Sequence, residues 1–346
     1  MKALVLTAYK QFELQEVPEP QVGPKDVLIR VKACGICGSD VHGMDGSTGR
    51  RRPPIVMGHE ASGTVEKLGS EVTGYQLGDR VTFDSTIYNP DSFFSKKGMI
   101  NLCDDRRVLG VSCEDYRQHG AFAELVSVPS HIMYALPTGM SYEQAAMVEP
   151  VSIAVHAKHL TPIAAGDTAL VFGSGLIGLM TIQVLKHTPA TQIVAVDVDD
   201  NKLAVAREMG AHHTFNPKTT ADLPGALKAL TGGRGADFAM ECVGIEATVR
   251  SAVLSVRKGG TVTLVGNLAK DISLPLQAVV TRQIRLQGSC ASSGEYPECL
   301  ELISSGKVNV DRFISATAPL EEGANWFDRL YKQEPGLMKV LLKPNG

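Results

Sequence analysis

The stretch KACGICGSDVHG, Lys32 to Gly43, sets Cys34 and Cys37 in a C-x-x-C pattern. Such a pair can be half of a four-thiolate zinc site, a redox dithiol, or one metal ligand beside an idle neighbour. A four-cysteine site needs a second C-x-x-C, and the chain has none. A redox dithiol belongs at a strand–helix turn of a small βαβ domain, whereas this pair lies in β-rich sequence with glycines on both sides. Further along, GHEASG supplies His59 and Glu60, and MVEPVS supplies Glu149. Thiolate, imidazole and carboxylate together suit a borderline-soft ion such as zinc. Three protein ligands would leave a fourth position for water or substrate, which is the arrangement of a catalytic ion. A cysteine of the C-x-x-C pair, with His59, Glu60 and Glu149, therefore supplies the candidate metal ligands.

A second constellation is VFGSGLIGLM, where Gly173, Gly175 and Gly178 form G-x-G-x-x-G. The pattern gains weight from an apolar strand before it and an apolar helix pattern after it. Gly173 permits the tight turn, Gly175 lets backbone approach a pyrophosphate, and Gly178 allows close helix packing. Leu176 and Ile177 open the helix, whose free N–H groups and positive dipole end face the phosphates. The next strand, QIVAVD, ends at Asp197. A carboxylate there accepts hydrogen bonds from the adenosine ribose and repels the extra phosphate of NADP, so NAD is expected. Lys202, Val265 and Asn267 are further candidate cofactor contacts.

These residues need two kinds of scaffold. Residues 1–150 read as short Val-, Ile- and Thr-rich strands between Gly and Pro, as in DVLIRVKA, ASGTVEKLG and GDRVTF. The segment from Asn89 to Cys113 has no clear period and reads as a long excursion loop. Residues 151–290 alternate continuous apolar strands with helical patterns, which predicts a parallel sheet covered on both faces, hence an α/β class. The tail, EYPECLELISSG through LMKVLLKP, reads as helix, strand, helix, strand.

The bulk properties narrow the function. The chain has 346 residues, a net charge of −3 and 21% charged residues. That balance argues against nucleic acid or an anionic membrane as partner. No apolar run is long enough for a spanning helix. Seven cysteines, an odd number scattered along the chain, suit a reducing, cytoplasmic setting. Arg50, Arg51 and Arg52 form a basic knot, read as a solvated loop or an anion contact near a substrate mouth.

The segments CGICGSDVH, GHEASGTVEKLGSEV, LGDRV, HGAFAE, EPVSIAVHA, GSGLIG and VAVD together resemble the zinc-dependent medium-chain dehydrogenase/reductase family, in its sorbitol-type polyol branch. The resemblance covers nearly the whole chain. It implies a GroES-like, mostly β catalytic domain (1–150, completed by 291–346) and a Rossmann NAD-binding domain (151–290), with the active site in the cleft between them. It implies that Cys37 and His59 ligate a catalytic zinc, that Glu60 is a ligand or switchable near-ligand, and that Glu149 binds the metal directly or through its water. Cys34 is then the idle neighbour. Ser39 would contact the substrate oxygen, and His42 would release the proton to solvent, a task suited to imidazole.

Two departures from the family pattern matter. Many members hold a second, structural zinc on four cysteines in a lobe loop. Here Cys103 remains, while Asn89, Ser92 and Ser95 stand at the other three places, so one zinc per chain is expected. Sorbitol-type enzymes also place an arginine over the polyol, where this chain has the small residues Ala291 to Ser293. The expected reaction is hydride transfer between NAD and a secondary alcohol, a polyol or sugar with or without a phosphate. A threonine- or 2,3-butanediol-type dehydrogenase is the alternative, and a non-catalytic dinucleotide-binding protein a more distant one. The resemblance further implies a homodimer or homotetramer, with the strand near Leu286 pairing with its copy.

Overall fold

The computed structural model describes residues 1–190 and 192–345. It has two compact units, Met1–Glu149 with Tyr296–Gly346, and Pro150–Glu295. The junctions fall at 149/150 and 295/296, against 150/151 and 290/291 read from sequence.

The first unit is built on strands whose Val, Ile and Gly content suits close pairing. After β1 (Lys2–Ala8), β2 (Asp26–Gly35) runs into the short helix α1 (Gly38–Gly43), and β3 (Glu60–Leu68) and β4 (Arg80–Phe83) follow. β2 is the spine of a mixed sheet and pairs antiparallel with β3, with β5 (Leu125–Pro129), and with a C-terminal strand. Its residues Val27, Ile29 and Val31 are fully buried against Phe83, Phe122 and Phe327. Gly63 on β3 is required where the strands approach, since a Cβ there would lie 2.2 Å from the Arg30 carbonyl oxygen. The register sets Gly35 opposite Glu60. That pairing holds the end of β2, where α1 begins, against the start of β3.

The second unit opens within α2 (Val148–Leu160) and then alternates strand and helix. β6 (Thr168–Phe172), α3 (Leu176–Leu185), β7 (Gln192–Val196), α4 (Asp200–Met209), β8 (His213–Phe215), β9 (Ala236–Glu241), α5 (Glu246–Ser255), β10 (Val256–Leu264) and β11 (Arg285–Gly288) follow in order. The strands form one parallel sheet, β8-β7-β6-β9-β10-β11. β6 and β9 are buried at every position, which explains why apolar residues fall on both of their faces, with Asp237 and Glu241 as the buried charged residues of β9. The strand order reverses at β6, and the crevice beyond its carboxyl end is where such sheets bind ligands. The chain then returns to the first unit through α6 (Tyr296–Ser304), β12 (Ile314–Pro319), α7 (Gly323–Tyr331) and β13 (Lys339–Lys343). β13 completes the sheet by pairing with β2.

A candidate metal centre and a dinucleotide turn

Cys37 caps α1, and its Sγ accepts from the Ser39 N–H at 3.5 Å. His59 and Glu60 arrive from the turn into β3. Gly58, at φ +95°, makes that turn, and a Cβ there would meet Cys34 Sγ at 2.8 Å. Cys34 therefore packs into the core behind the turn, and burial pushes its thiol pKa well up. Cys37 Sγ, a His59 ring nitrogen and a Glu60 carboxylate oxygen all lie within 4.8 Å of one another. His59 is 6% exposed and Glu60 1%. His59 Nδ1 is buried and makes no close hydrogen bond, with Asp40 Oδ2 3.5 Å away on that side of the ring. Burial penalises its charged form, but the charges of Asp40 and Cys37 outweigh this and raise its pKa well above the ordinary value. A half-buried thiol, a buried imidazole and a buried carboxylate within reach of one point fit a zinc ion.

Glu149 is not part of that tight trio. It belongs to the same unit, 3.4 Å from Ser85 Oγ, and burial is the main reason its pKa is pushed up to about 7. His59 pulls it back down, while Glu60 adds to the rise.

Three partners of the trio escape the motif reading. Lys339 opens β13 fully buried, and its Nζ donates to Glu60 Oε2 at 2.5 Å and to the Ile36 carbonyl at 3.0 Å. Gly35 leaves the room, since a Cβ there would lie 2.2 Å from Glu60 Oε2. Asp40 is completely buried, with Oδ2 3.5 Å from His59 Nδ1. Burial would raise its pKa, but the charges of His59 and Arg51 hold it well below the usual carboxylate range. Arg51 is 4% exposed and ion-paired with Asp40 at 2.8 Å. Its place in the basic knot suggested a solvated or anion-binding side chain, and the structure corrects that. Arg50 stays exposed, and Arg52 reaches Glu114 at 3.6 Å. The spacing of Asp40 after Cys37 was a usable signal. Lys339, near the other end of the chain, offered none.

Ser39 and His42 are both exposed and three residues apart on α1, so they share its outer face, while Asp40 and Val41 point inward. In the lobe, Asn89 N–H donates to Cys103 Sγ at 3.4 Å, and Ser92 Oγ and Ser95 Oγ lie 2.8 Å apart. Burial opposes ionisation of Cys103, but hydrogen bonds led by Ser92 outweigh it and lower its pKa. Two 3₁₀ turns, Ser95–Lys97 and Ile100–Leu102, lie in this loop.

In the second unit, Gly173 takes φ +90°, and a Cβ at Gly178 would lie 1.8 Å from the Gly173 carbonyl oxygen. A Cβ at Gly175 would meet nothing within 4 Å, so this side of the turn is open for a phosphate to approach. Leu176 and Ile177 begin α3. Asp197, at the end of β7, accepts from the Ser174 N–H at 2.6 Å and the Asp199 N–H at 3.0 Å, so it also ties the glycine turn to the sheet. Val265 follows β10 with its N–H on the Glu241 carbonyl at 2.8 Å. Asn267 is exposed in the same loop, and Lys202 is exposed on α4. The open turn and the carboxylate beside it fit a dinucleotide.

Residues 23–138 match the family model described as alcohol dehydrogenase GroES-like domain, and residues 177–305 the one described as zinc-binding dehydrogenase. Sorbitol dehydrogenase of Bacillus subtilis (strain 168) is 31% identical over 349 residues, spanning 100% of this chain and 98% of that protein. The crystal structure of 2R,3R-butanediol dehydrogenase from Bacillus subtilis has a TM-score of 0.89 at 31% identity, with 99% of each chain covered. A structure from Sinorhizobium meliloti 1021, described as a zinc-binding dehydrogenase bound to NADP, has a TM-score of 0.88 at 29% identity, again with 99% of each chain covered.

Proposed function

This chain belongs to the zinc-dependent medium-chain dehydrogenase/reductase family, in its polyol dehydrogenase-like branch, and from that premise we propose that it oxidises a secondary alcohol of the polyol or sugar class with NAD. The observation that carries the reading is the Cys37–His59–Glu60 trio, with its donor atoms within 4.8 Å of one another. These three residues would hold one zinc, with Glu149 binding it directly or through its water. When bound, zinc supplies Lewis acidity toward a substrate hydroxyl, and NAD supplies the hydride acceptor.

The chain's own residues do the rest. Asp40 faces His59 Nδ1 and holds the ring in place. Lys339 neutralises Glu60, so a second anionic donor beside the Cys37 thiolate is tolerated in the site. Ser39 takes the proton leaving the substrate hydroxyl, and exposed His42 passes it to solvent. Asp197 supports NAD over NADP through the adenosine ribose. Edge strand β11 and the exposed Leu268, Leu276 and Val280 before it support a homo-oligomer. No helix among the described residues is long and apolar enough to cross a membrane. All seven cysteines are free thiols, which supports a reducing, cytoplasmic setting.

The small residues Ala291 to Ser293 favour a second reading for the substrate, a short diol such as 2,3-butanediol or the hydroxyl of threonine. NADH formation across polyols, aldoses, phosphorylated polyols, 2,3-butanediol and threonine, each with and without a chelator, tests both readings. Chelator-sensitive turnover of polyols or sugars supports the first, and turnover confined to butanediol or threonine selects the second. Turnover that survives full zinc removal would overturn the metal assignment.

A further inference from the structure

We propose that Arg51 is a positioning residue that organises both halves of the metal centre, the His59 ligand through Asp40 and the Ser39 hydroxyl directly. The Ser39 half rests on the relay reading above.

Arg51 distributes its whole guanidinium. Nε and Nη2 both donate to one oxygen of Asp40, Oδ1, at 3.0 and 2.8 Å. Nη1 donates to the Arg50 carbonyl at 3.0 Å, and Nη2 also reaches Ser39 Oγ at 3.3 Å. With Oδ1 taken, Asp40 presents Oδ2 to His59 Nδ1 at 3.5 Å and to the Cys37 N–H at 3.4 Å. A carboxylate held beside Nδ1 keeps the proton on that nitrogen and leaves Nε2 as the lone-pair donor. Arg51 thus selects which Asp40 oxygen does this and fixes its orientation. At Ser39, the contact occupies one lone pair of the hydroxyl oxygen and turns its hydrogen away from Arg51. One acceptor site then remains for a substrate hydroxyl, and the hydrogen is free to be passed on.

The surroundings are shaped for this arrangement. A Cβ on Gly43 would lie 2.5 Å from Arg51 Cγ, so α1 leaves a gap where the arginine stem passes. Asp40 and Arg51 are 0% and 4% exposed, so the pair is shielded from solvent screening. Lysine has a single charged nitrogen and cannot serve Asp40, Ser39 and the Arg50 carbonyl with the same planar geometry.

The test uses zinc-loaded enzyme with Arg51→Met, Arg51→Lys, Ser39→Ala and, as a control, Arg50→Ala, whose side chain is exposed. Zinc transfer to a chromogenic chelator is timed without substrate, thermal melting is recorded, and kcat and KM are measured separately. Arg51→Met is expected to release zinc about 10–100-fold faster, the usual scale for loss of a ligand's supporting hydrogen bond. Its kcat should fall while KM stays within about twofold of wild type, because the lost contacts orient reacting groups rather than bind substrate. Arg51→Lys should recover most of the melting temperature but not the zinc retention or kcat. A merely structural ion pair predicts otherwise: wild-type zinc release and kcat in folded Arg51→Met, or in Arg51→Lys if the methionine variant does not fold, overturn the proposal. A Ser39→Ala enzyme with wild-type kcat would overturn the relay reading and the Ser39 half with it, whereas the zinc measurement judges the His59 half alone.

Discussion

The two cysteines of the C-x-x-C pair have opposite fates, and each can be tested singly. Cys37 caps α1 and points its sulfur at His59 and Glu60, whereas Cys34 fills space beneath Gly58. Cys37→Ser should lose zinc and turnover together. Cys34→Ser should keep a full zinc complement and melt at a lower temperature, since it puts a hydroxyl into a thiol's packed site. Metal analysis of the two purified variants decides; equal zinc loss in both would mean that the pair acts as a unit. Lys339→Met strands Glu60 without its buried partner. Breaking such a pair costs about 3–5 kcal/mol, so the zinc-free protein should unfold at clearly lower urea. A melt unchanged from wild type would show that Glu60 has another cation or a proton in Lys339's place.

At the scale of elements, the glycine turn between β6 and α3 is where the proposed cofactor would sit, and its requirements are steric. Gly178→Ala forces a methyl against the Gly173 carbonyl oxygen. NAD binding should be lost in titration calorimetry, while the zinc content of the protein stays at the wild-type level. Loss of both together would mean that the substitution unfolds more than the turn. Asp197→Ala removes a charged acceptor, a change worth about 1.5–3 kcal/mol, so NAD should bind about 10–100-fold more weakly. Discrimination against NADP should shrink in the same variant. The contacts from Asp197 to Ser174 and Asp199 add a loosened turn to that effect.

At the scale of the whole molecule, stability is unevenly distributed. The Asn89–Cys103 lobe is tied by Ser92, Ser95, Asn89 and Cys103 contacts and leaves Phe93, Met99 and Leu102 exposed. β2 and β3, by contrast, are buried along most of their length. Hydrogen exchange should therefore open the lobe well before the β2–β3 spine. Exchange of both at one rate would mean that the lobe unfolds only with the domain.

What could be read from the chain alone was local. The parallel-sheet unit followed from continuous apolar runs between helical periods, and its glycine turn from spacings of a few residues. The donor set of Cys37, His59 and Glu60 could be recognised because each residue type carries its own metal chemistry. Tertiary structure decided what surrounds those donors. Register put Gly35 across from Glu60, and sheet order carried Lys339 from the far end of the chain to the same carboxylate. Folding turned Arg51 inward, although its neighbours Arg50 and Arg52 look identical in sequence and stay exposed. The physical reason is range. Turns, caps and hydrophobic periods are set by neighbouring residues, whereas a buried charge is stable only beside a partner that the fold delivers from elsewhere.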